Sequence, residues 1–171
     1  MQSIQFGRGR LGHRRNLELR LARYLVSGQG YAVVVGGDQD ALKAAISRST
    51  GSLPELHVVS TSARHNGLNA LASLLQGSRS SAPAVSEIDA ALGEIAAARS
   101  GDASIVIVIR DADLASPGSL ERLRIAAEKF SGETGPVRLV LSGSRFLLTL
   151  LELPRLRGLS TRVTARIQLG Q

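Results

Sequence analysis

Residues Tyr31 to Ile46 read YAVVVGGDQDALKAAI, and this stretch decides the fold. It opens with five consecutive apolar residues, a pattern typical of a strand that helices cover on both faces of a parallel sheet. Gly36 and Gly37 then predict a tight turn, and ALKAAI predicts a helix whose N-cap is Asp38 or Asp40. The stretch therefore predicts a buried strand, a glycine turn and a helix.

Segments of the same two kinds alternate along the rest of the chain. The predicted strands are 31–35, 56–60, 104–109, 137–141 and 162–169, and the predicted helices are 17–26, 41–46, 67–77, 87–99, 119–130 and 145–152, with a surface linker at 78–85. Apolar strands that alternate with helices favour a parallel sheet with helices on both sides. We expect an α/β protein, a three-layer αβα sandwich around a mainly parallel five-stranded sheet.

Composition sets the class of protein. The chain has 171 residues, of which 43% are hydrophobic and 20% are charged, as in one ordinary globular domain. We expect a flexible, basic N-terminal segment at residues 1–15 and a single domain at 16–171. No apolar run approaches membrane-spanning length, so we expect a cytoplasmic protein. The chain has no cysteine and three histidines without ligand spacing, and we therefore predict no metal site.

The chain is strongly basic. It has 21 Lys and Arg against 14 Asp and Glu, for a net charge of +7, which raises the question of an anionic partner. Aromatic residues are only 3% of the chain, so platforms for stacking single-stranded bases are not expected. Ten of the 19 arginines lie in two stretches, 8–23 and 155–166. These arginines are either solvated charges or contacts to an acidic partner, a membrane face or a phosphate. The candidate contact residues are Arg14, Arg15, Arg157 and Arg162.

The turn after the first strand resembles a phosphate-binding loop only in part. A parallel sheet binds ligands at the carboxyl ends of its strands, and a phosphate loop there needs G-x-x-x-x-G-K-[ST]. From Gly37 the sequence reads GDQDALKA, in which Leu42 replaces the second glycine and Ala44 replaces the hydroxyl. Lys43 is therefore either a phosphate ligand or a solvated helix lysine, and Gly36 and Gly37 are either anion-binding or simply turn-forming.

The turn after the central strand departs from the ATPase pattern in a similar way. ATPases of the P-loop class hold magnesium with a carboxylate near the end of this strand. Arg110 occupies the first such position and Asp111 the second. An arginine cannot ligate magnesium, and Asp111 and Asp113 can instead cap the following turn or pair with Arg110.

Three segments together resemble a known family. HRRNLELRLARYLVSGQGYAVVVGG from residue 13, IRDADLAS from residue 109 and LVLSGSRFLLTLLELPRLRGLSTRVTARIQL from residue 139 are similar to the P-loop AAA+ core of general-secretion ATPases of the ExeA type and of their TniB-type transposition relatives. The last segment carries most of the resemblance, because its spacing and several identities agree together. The resemblance implies a P-loop NTPase-like fold, and because the sequence stops soon after the fifth strand we expect the lid domain to be absent.

The resemblance also implies roles for single residues. Ser142 would be the polar sensor, Asp111 the catalytic carboxylate and Lys43 the phosphate lysine, while Arg157 or Arg162 would face a neighbouring subunit. Because three parts of the site are replaced, we expect no hydrolysis, no required cofactor and a degenerate nucleotide site formed by Gly36, Gly37, Lys43, Arg110, Asp111 and Ser142.

The expected role is therefore that of a catalytically inactive scaffold or regulatory subunit. The resemblance suggests a protein partner or self-association within a secretion, pilus or polysaccharide-export assembly at the inner membrane. Two alternatives remain open at this point, a weak ATP-binding switch and a DNA-binding accessory of the transposition or replication type.

Overall fold

The computed structural model describes residues 8–27, 29–36, 38–51, 53, 56–64, 68–69, 71–72, 104–134 and 137–168. The helices are α1 (Arg8–Ser27), α2 (Gln39–Gly51), α3 (Pro117–Thr134), α4 (Phe146–Leu151) and α5 (Arg157–Ser160). The strands are β1 (Tyr31–Val35), β2 (Leu56–Ser62), β3 (Ser104–Arg110), β4 (Val137–Gly143) and β5 (Val163–Gln168). Short 3₁₀ turns lie at Ala112–Leu114 and Pro154–Leu156.

The five strands form one parallel sheet in the order β2-β3-β4-β1-β5. This confirms the predicted five-stranded parallel sheet. Strand β4 lies between β1 and β3, with Ala32 paired to Val140 and Val108 paired to the same residue from the other side. The carboxyl ends of β1, β3 and β4 therefore lie side by side at one edge of the sheet.

Helices cover both faces of the sheet and make the three-layer sandwich that the sequence predicts. Alternate residues of each strand point to opposite faces, so β1 contributes Val33 to one hydrophobic core and Val34 to the other. The first core packs against α3, α4 and α5, and the second against α1 and α2. Every residue of β1 is buried, which explains its unbroken apolar sequence.

The first helix is longer than predicted. It begins at Arg8 rather than Leu17, so the predicted end of a flexible segment at residue 15 falls inside a helix. Residues 8–16 read RGRLGHRRN, with Leu11 as the single apolar residue. This stretch has no apolar stripe, and periodicity therefore underestimates the length of the helix. No helix among the described ranges is long and apolar enough to cross a bilayer.

Polar side chains cap the starts of α2 and α3, and at α2 the cap is one of the two predicted residues. Asp38 is the N-cap of α2, because its Oδ1 accepts a hydrogen bond from the backbone N–H of Ala41 at 3.0 Å. At α3, the hydroxyl of Ser116 accepts from the N–H of Ser119 at 3.1 Å, and Pro117 stands at the first helical position. The linker at 78–85, the helix at 87–99 and most of the helix at 67–77 lie outside the described residues.

Candidate functional site

The carboxyl edge of the sheet contains a cleft of about 230 Å³ that brings most of the predicted site residues together. Its lining consists of Gln39, Asp40, Lys43, Arg64, Arg110, Asp111 and Ser142. Four of these seven were predicted from the sequence. Three cationic and two anionic side chains thus share one small cleft, where each charge influences the others.

The β1 end of the cleft is closed by its own polar groups. The N–H of Gly36 donates to the carbonyl of Gly143 at 3.2 Å, and the carbonyl of Gly36 accepts from the side-chain amide of Gln39 at 3.1 Å. Asp38 caps the first turn of α2, as described above. Gly37 lies outside the described residues, and Lys43 is an exposed residue of α2.

Asp111 is the most constrained residue of the cleft. Its backbone is left-handed, with φ 54° and ψ 35°, a conformation that aspartate tolerates better than most residues. Its Oδ2 accepts hydrogen bonds from the Ser62 hydroxyl at 2.8 Å and from Arg64 Nε at 3.2 Å. The expectation that Asp111 caps the next turn is wrong, because no side-chain cap bond forms there and the carboxylate points to β2 instead.

The pKa of Asp111 records this environment. Burial is the largest single influence and raises the pKa, but the hydrogen bonds from Ser62 and Arg64, with the charges of Arg64 and Arg110, together lower it below its usual value. The carboxylate is therefore ionised at neutral pH and already engaged by a guanidinium. A group held in this way is a poor general base, because a base needs a pKa near the working pH.

Asp113 binds the turn after β4, a contact that the sequence did not suggest. Its Oδ2 accepts from the hydroxyl of Ser144 at 2.7 Å, and its Oδ1 accepts from the Ser144 N–H at 3.2 Å. This link joins the turn after β3 to the turn after β4. Gly143 lies against this link, because a Cβ atom there would overlap Asp113 Oδ1 and lie 3.1 Å from its Cγ.

The remaining predicted residues lie in three places. Ser142 is buried in β4, and its hydroxyl donates to the carbonyl of Ile109 at 3.4 Å, which ties β4 to β3 beside the cleft. Arg162 forms an ion pair with Glu128 and donates to the carbonyl of Gly158 at 2.8 Å, so it is engaged within the chain. Arg157 is exposed at the start of α5. Arg14 and Arg15 belong to α1.

The sequence did not single out Gln39, Asp40 or Arg64 as cleft residues. Arg64 follows β2, and its position beside Asp111 depends on β2 being the neighbour of β3. Ser62 pairs with Arg110 at the last register position of these two strands. The available signal was a polar pair, Ser62 and Arg64, directly after a predicted strand.

Solved structures supply the comparison with known proteins. No family model matches the sequence, and no curated protein matches it. The Aeropyrum pernix ORC2 protein is similar in structure, with a TM-score of 0.57 and 12% identity over 98% of this chain and 50% of that one. Cdc6p from Pyrobaculum aerophilum has a TM-score of 0.57 and 14% identity, over 96% of this chain and 46% of that one. The Thermotoga maritima RuvB Holliday junction branch migration motor has a TM-score of 0.50 and 17% identity, over 94% of this chain and 45% of that one.

These similarities concern the fold, because the identities are low. The chain spans about half the length of these solved structures. Their shared architecture agrees with the parallel five-stranded sheet and the helices on both of its faces. The chain thus has an α/β P-loop NTPase-like fold, which it shares with these solved structures.

Proposed function

We propose that this chain is a catalytically inactive AAA+-like domain, a pseudo-ATPase that acts as a scaffold or regulatory subunit of a larger assembly. One observation carries the proposal. The first turn of α2, where a P-loop protein offers backbone N–H groups to a phosphate, is capped by the carboxylate of Asp38. An anionic cap takes up a donor that a phosphate needs and also repels the phosphate charge.

The metal half of the site supports the same proposal. A nucleotide-bound magnesium ion needs carboxylate or hydroxyl oxygens near its phosphates. Arg110 lies at the end of β3 where the resemblance calls for a magnesium carboxylate, and Asp111 is bound by Ser62 and Arg64. The guanidinium groups of Arg64 and Arg110 around Asp111 disfavour a metal cation at that carboxylate. The residues present therefore do not fit a magnesium nucleotide.

The replaced loop residues have structural roles of their own. Leu42 is 1% exposed and packs into the core between α1, α2 and the sheet. The position at which a phosphate loop has its second glycine is therefore part of the hydrophobic core in this chain. Ala44 is exposed on α2 and offers no hydroxyl. Hydrolysis depends on these parts acting together, and their joint loss supports a non-catalytic role.

The proposed setting follows from the resemblance to ExeA-type secretion ATPases. We place the chain in the cytoplasm as a subunit that binds a protein partner or a second copy and is recruited to a secretion, pilus or polysaccharide-export assembly at the inner membrane. A non-catalytic domain in such an assembly contributes surfaces rather than turnover, so its activity is measured as binding.

The test is calorimetric titration with ATP, with and without magnesium, together with an assay of phosphate release. We expect no binding tighter than millimolar and no turnover. Lys43→Ala should change nothing, and Lys129→Ala is the matched control because it alters the only other lysine, which is also exposed. Asp38→Ser keeps a capping oxygen without its charge, and we expect this variant to bind ATP measurably more tightly than the unmodified chain.

One result would overturn the proposal. Micromolar ATP binding that is lost in Lys43→Ala and kept in Lys129→Ala would identify a nucleotide-binding switch instead. Phosphate release above background in the same preparation, again dependent on Lys43, would identify an active ATPase.

A further inference from the structure

We propose that the surface around Leu114 and Phe146 is a docking site for an acidic, amphipathic segment of a partner protein. The inference rests on the proposed scaffold function, and it adds the location of the binding surface and the chemistry of the partner. We call this surface the rim patch and define it as Leu114, Phe146, Arg64 and Arg145 with the groove beside Leu114.

Two large apolar side chains are exposed in the rim patch. Leu114 is 59% exposed and Phe146 is 58% exposed. The Asp113–Ser144 link brings them near one another, because Leu114 follows Asp113 directly and the N–H of Phe146 donates to the hydroxyl of Ser144 at 3.3 Å. Exposed apolar side chains that cluster, unlike isolated ones, indicate an interaction surface.

A groove continues the rim patch on the β2 side. It has a volume of about 360 Å³, and its apolar lining is Ala63, Leu68, Leu114 and Ala115, with Arg64, Ser116 and Ser119 at its polar side. Leu68 is only 2% exposed and forms an apolar surface within the groove. Such a groove suits an apolar anchor from a partner, with polar groups beside it to fix the orientation.

The charge around the rim patch selects the partner. Arg64 lines the groove beside Leu114, and the side chains of Arg64 and Arg145 are both exposed. Arg64 pairs with Asp111 Oδ2 at 3.2 Å, yet 58% of its side chain stays exposed. Arg145 directly precedes Phe146 in the chain. Carboxylates on the partner would complement this field and hasten encounter.

The apolar residues favour a protein over a nucleic acid. Nucleic-acid backbones are bound by cationic and polar groups, and single-stranded bases stack on aromatic rings. An exposed leucine contributes to neither kind of contact, whereas protein interfaces combine a small apolar centre with a charged surround. A second copy of the chain is a less suitable occupant because each copy carries a net charge of +7.

The test is selection from a phage-displayed library of random 12-residue peptides on the immobilised full chain. We expect enriched peptides that combine Asp or Glu with Leu, Phe or Trp. Synthetic versions should bind with micromolar affinity and more weakly as salt rises. The double variant Leu114→Ser with Phe146→Ser, and separately Arg145→Glu, should each weaken binding at least tenfold. Circular dichroism checks that each variant is folded.

The matched control is the double variant Leu19→Ser with Val26→Ser. These residues are 70% and 62% exposed on α1, against the opposite face of the sheet, and we expect less than a twofold change in peptide affinity. The inference is overturned if no peptide is enriched, if the enriched peptides are not acidic, or if the rim-patch variants bind them as well as the control does.

Two further outcomes would assign the rim patch to another occupant. A 20-base-pair duplex that binds the chain and loses affinity in the Leu114 and Phe146 double variant would identify a nucleic-acid surface. Concentration-dependent dimerisation in sedimentation, abolished by the same variant, would identify a second copy. The ATP titration gives an independent readout, so failure of the pseudo-ATPase proposal and failure of peptide docking are distinguishable.

Discussion

Gly143→Ala should destabilise the protein because it inserts a methyl group into the link between Asp113 and Ser144. The new Cβ would overlap Asp113 Oδ1 and lie 3.3 Å from the Asp113 backbone nitrogen. The short aspartate side chain cannot move away while it keeps its bonds to Ser144 at 2.7 and 3.2 Å. Overpacking costs about 1–3 kcal/mol, and losing hydrogen bonds to a charged group costs about 1.5–3 kcal/mol.

The variant relieves the overlap either by straining the packing around the new methyl group or by breaking the bonds between Asp113 and Ser144. The two costs are therefore alternatives and do not simply add. We expect a loss of about 2–3 kcal/mol in the free energy of unfolding. For a chain of this length, each kcal/mol lowers the melting temperature by about 2–4 °C. The assay is urea unfolding followed by circular dichroism, with the slope and midpoint fitted together.

Gly118→Ala is the matched control. Gly118 lies in α3, no atom lies within 4 Å of its added Cβ, and alanine favours the helix over glycine. This variant should be neutral or more stable by up to about 1 kcal/mol. Asp113→Ala provides the second check, because Gly143→Ala should cost at least 1 kcal/mol less in that background, as coupled neighbours do. Equal costs in both backgrounds, or a Gly143→Ala protein as stable as the Gly118→Ala protein, would refute this reasoning.

Three other expectations concern charged and titratable groups. Burial raises the pKa of Tyr31 to about 12 and also raises the pKa of Tyr24, so absorbance at 295 nm should show tyrosinate only well above pH 10 in the folded chain and near pH 10 in urea. The pKa of Asp111 is lowered in the folded chain, so the ionised carboxylate stabilises the fold above the unfolded-state pKa of about 4. This stabilisation is lost as the pH falls through the folded-state pKa. Asp111→Asn should therefore weaken the dependence of the free energy of unfolding on acid pH, measured by urea unfolding. Arg124→Met removes a guanidinium that bridges two glutamates and should cost about 2 kcal/mol in urea unfolding, whereas Arg122→Met at an exposed neighbouring position should cost less than about 0.5 kcal/mol.

The fold was largely predictable because its central strands are continuous apolar runs in the sequence. Apolar runs such as 31–35 and 104–109 are long enough to be central strands, and the structure has strands at both places. The turn before α2 predicted an N-cap at Asp38 or Asp40, and Asp38 has that role. The start of α1 was not predictable, because residues 8–16 lack the apolar repeat by which an amphipathic helix is detected.

The cleft was predictable only in part, because its composition depends on strand order. Lys43, Arg110, Asp111 and Ser142 follow from the rule that parallel strands present their carboxyl ends at one edge. The partner of Asp111 does not follow from this rule, because Arg64 reaches Asp111 only through the position of β2 beside β3. Nothing in the spacing of a single sequence states which strands are neighbours.

The position of β1 in the sheet constrains the order in which the protein can fold. Its two neighbours are β4 and β5, and the pairs Ala32 with Val140 and Ala32 with Ala165 join residues that are more than a hundred positions apart. A growing chain therefore exposes the apolar stretch 31–35 until most of the sequence has been made. We infer that β1 joins the sheet late in folding. In a fragment that ends before β4, the apolar strand β1 would lack both of its neighbours, β4 and β5, and would be prone to aggregation.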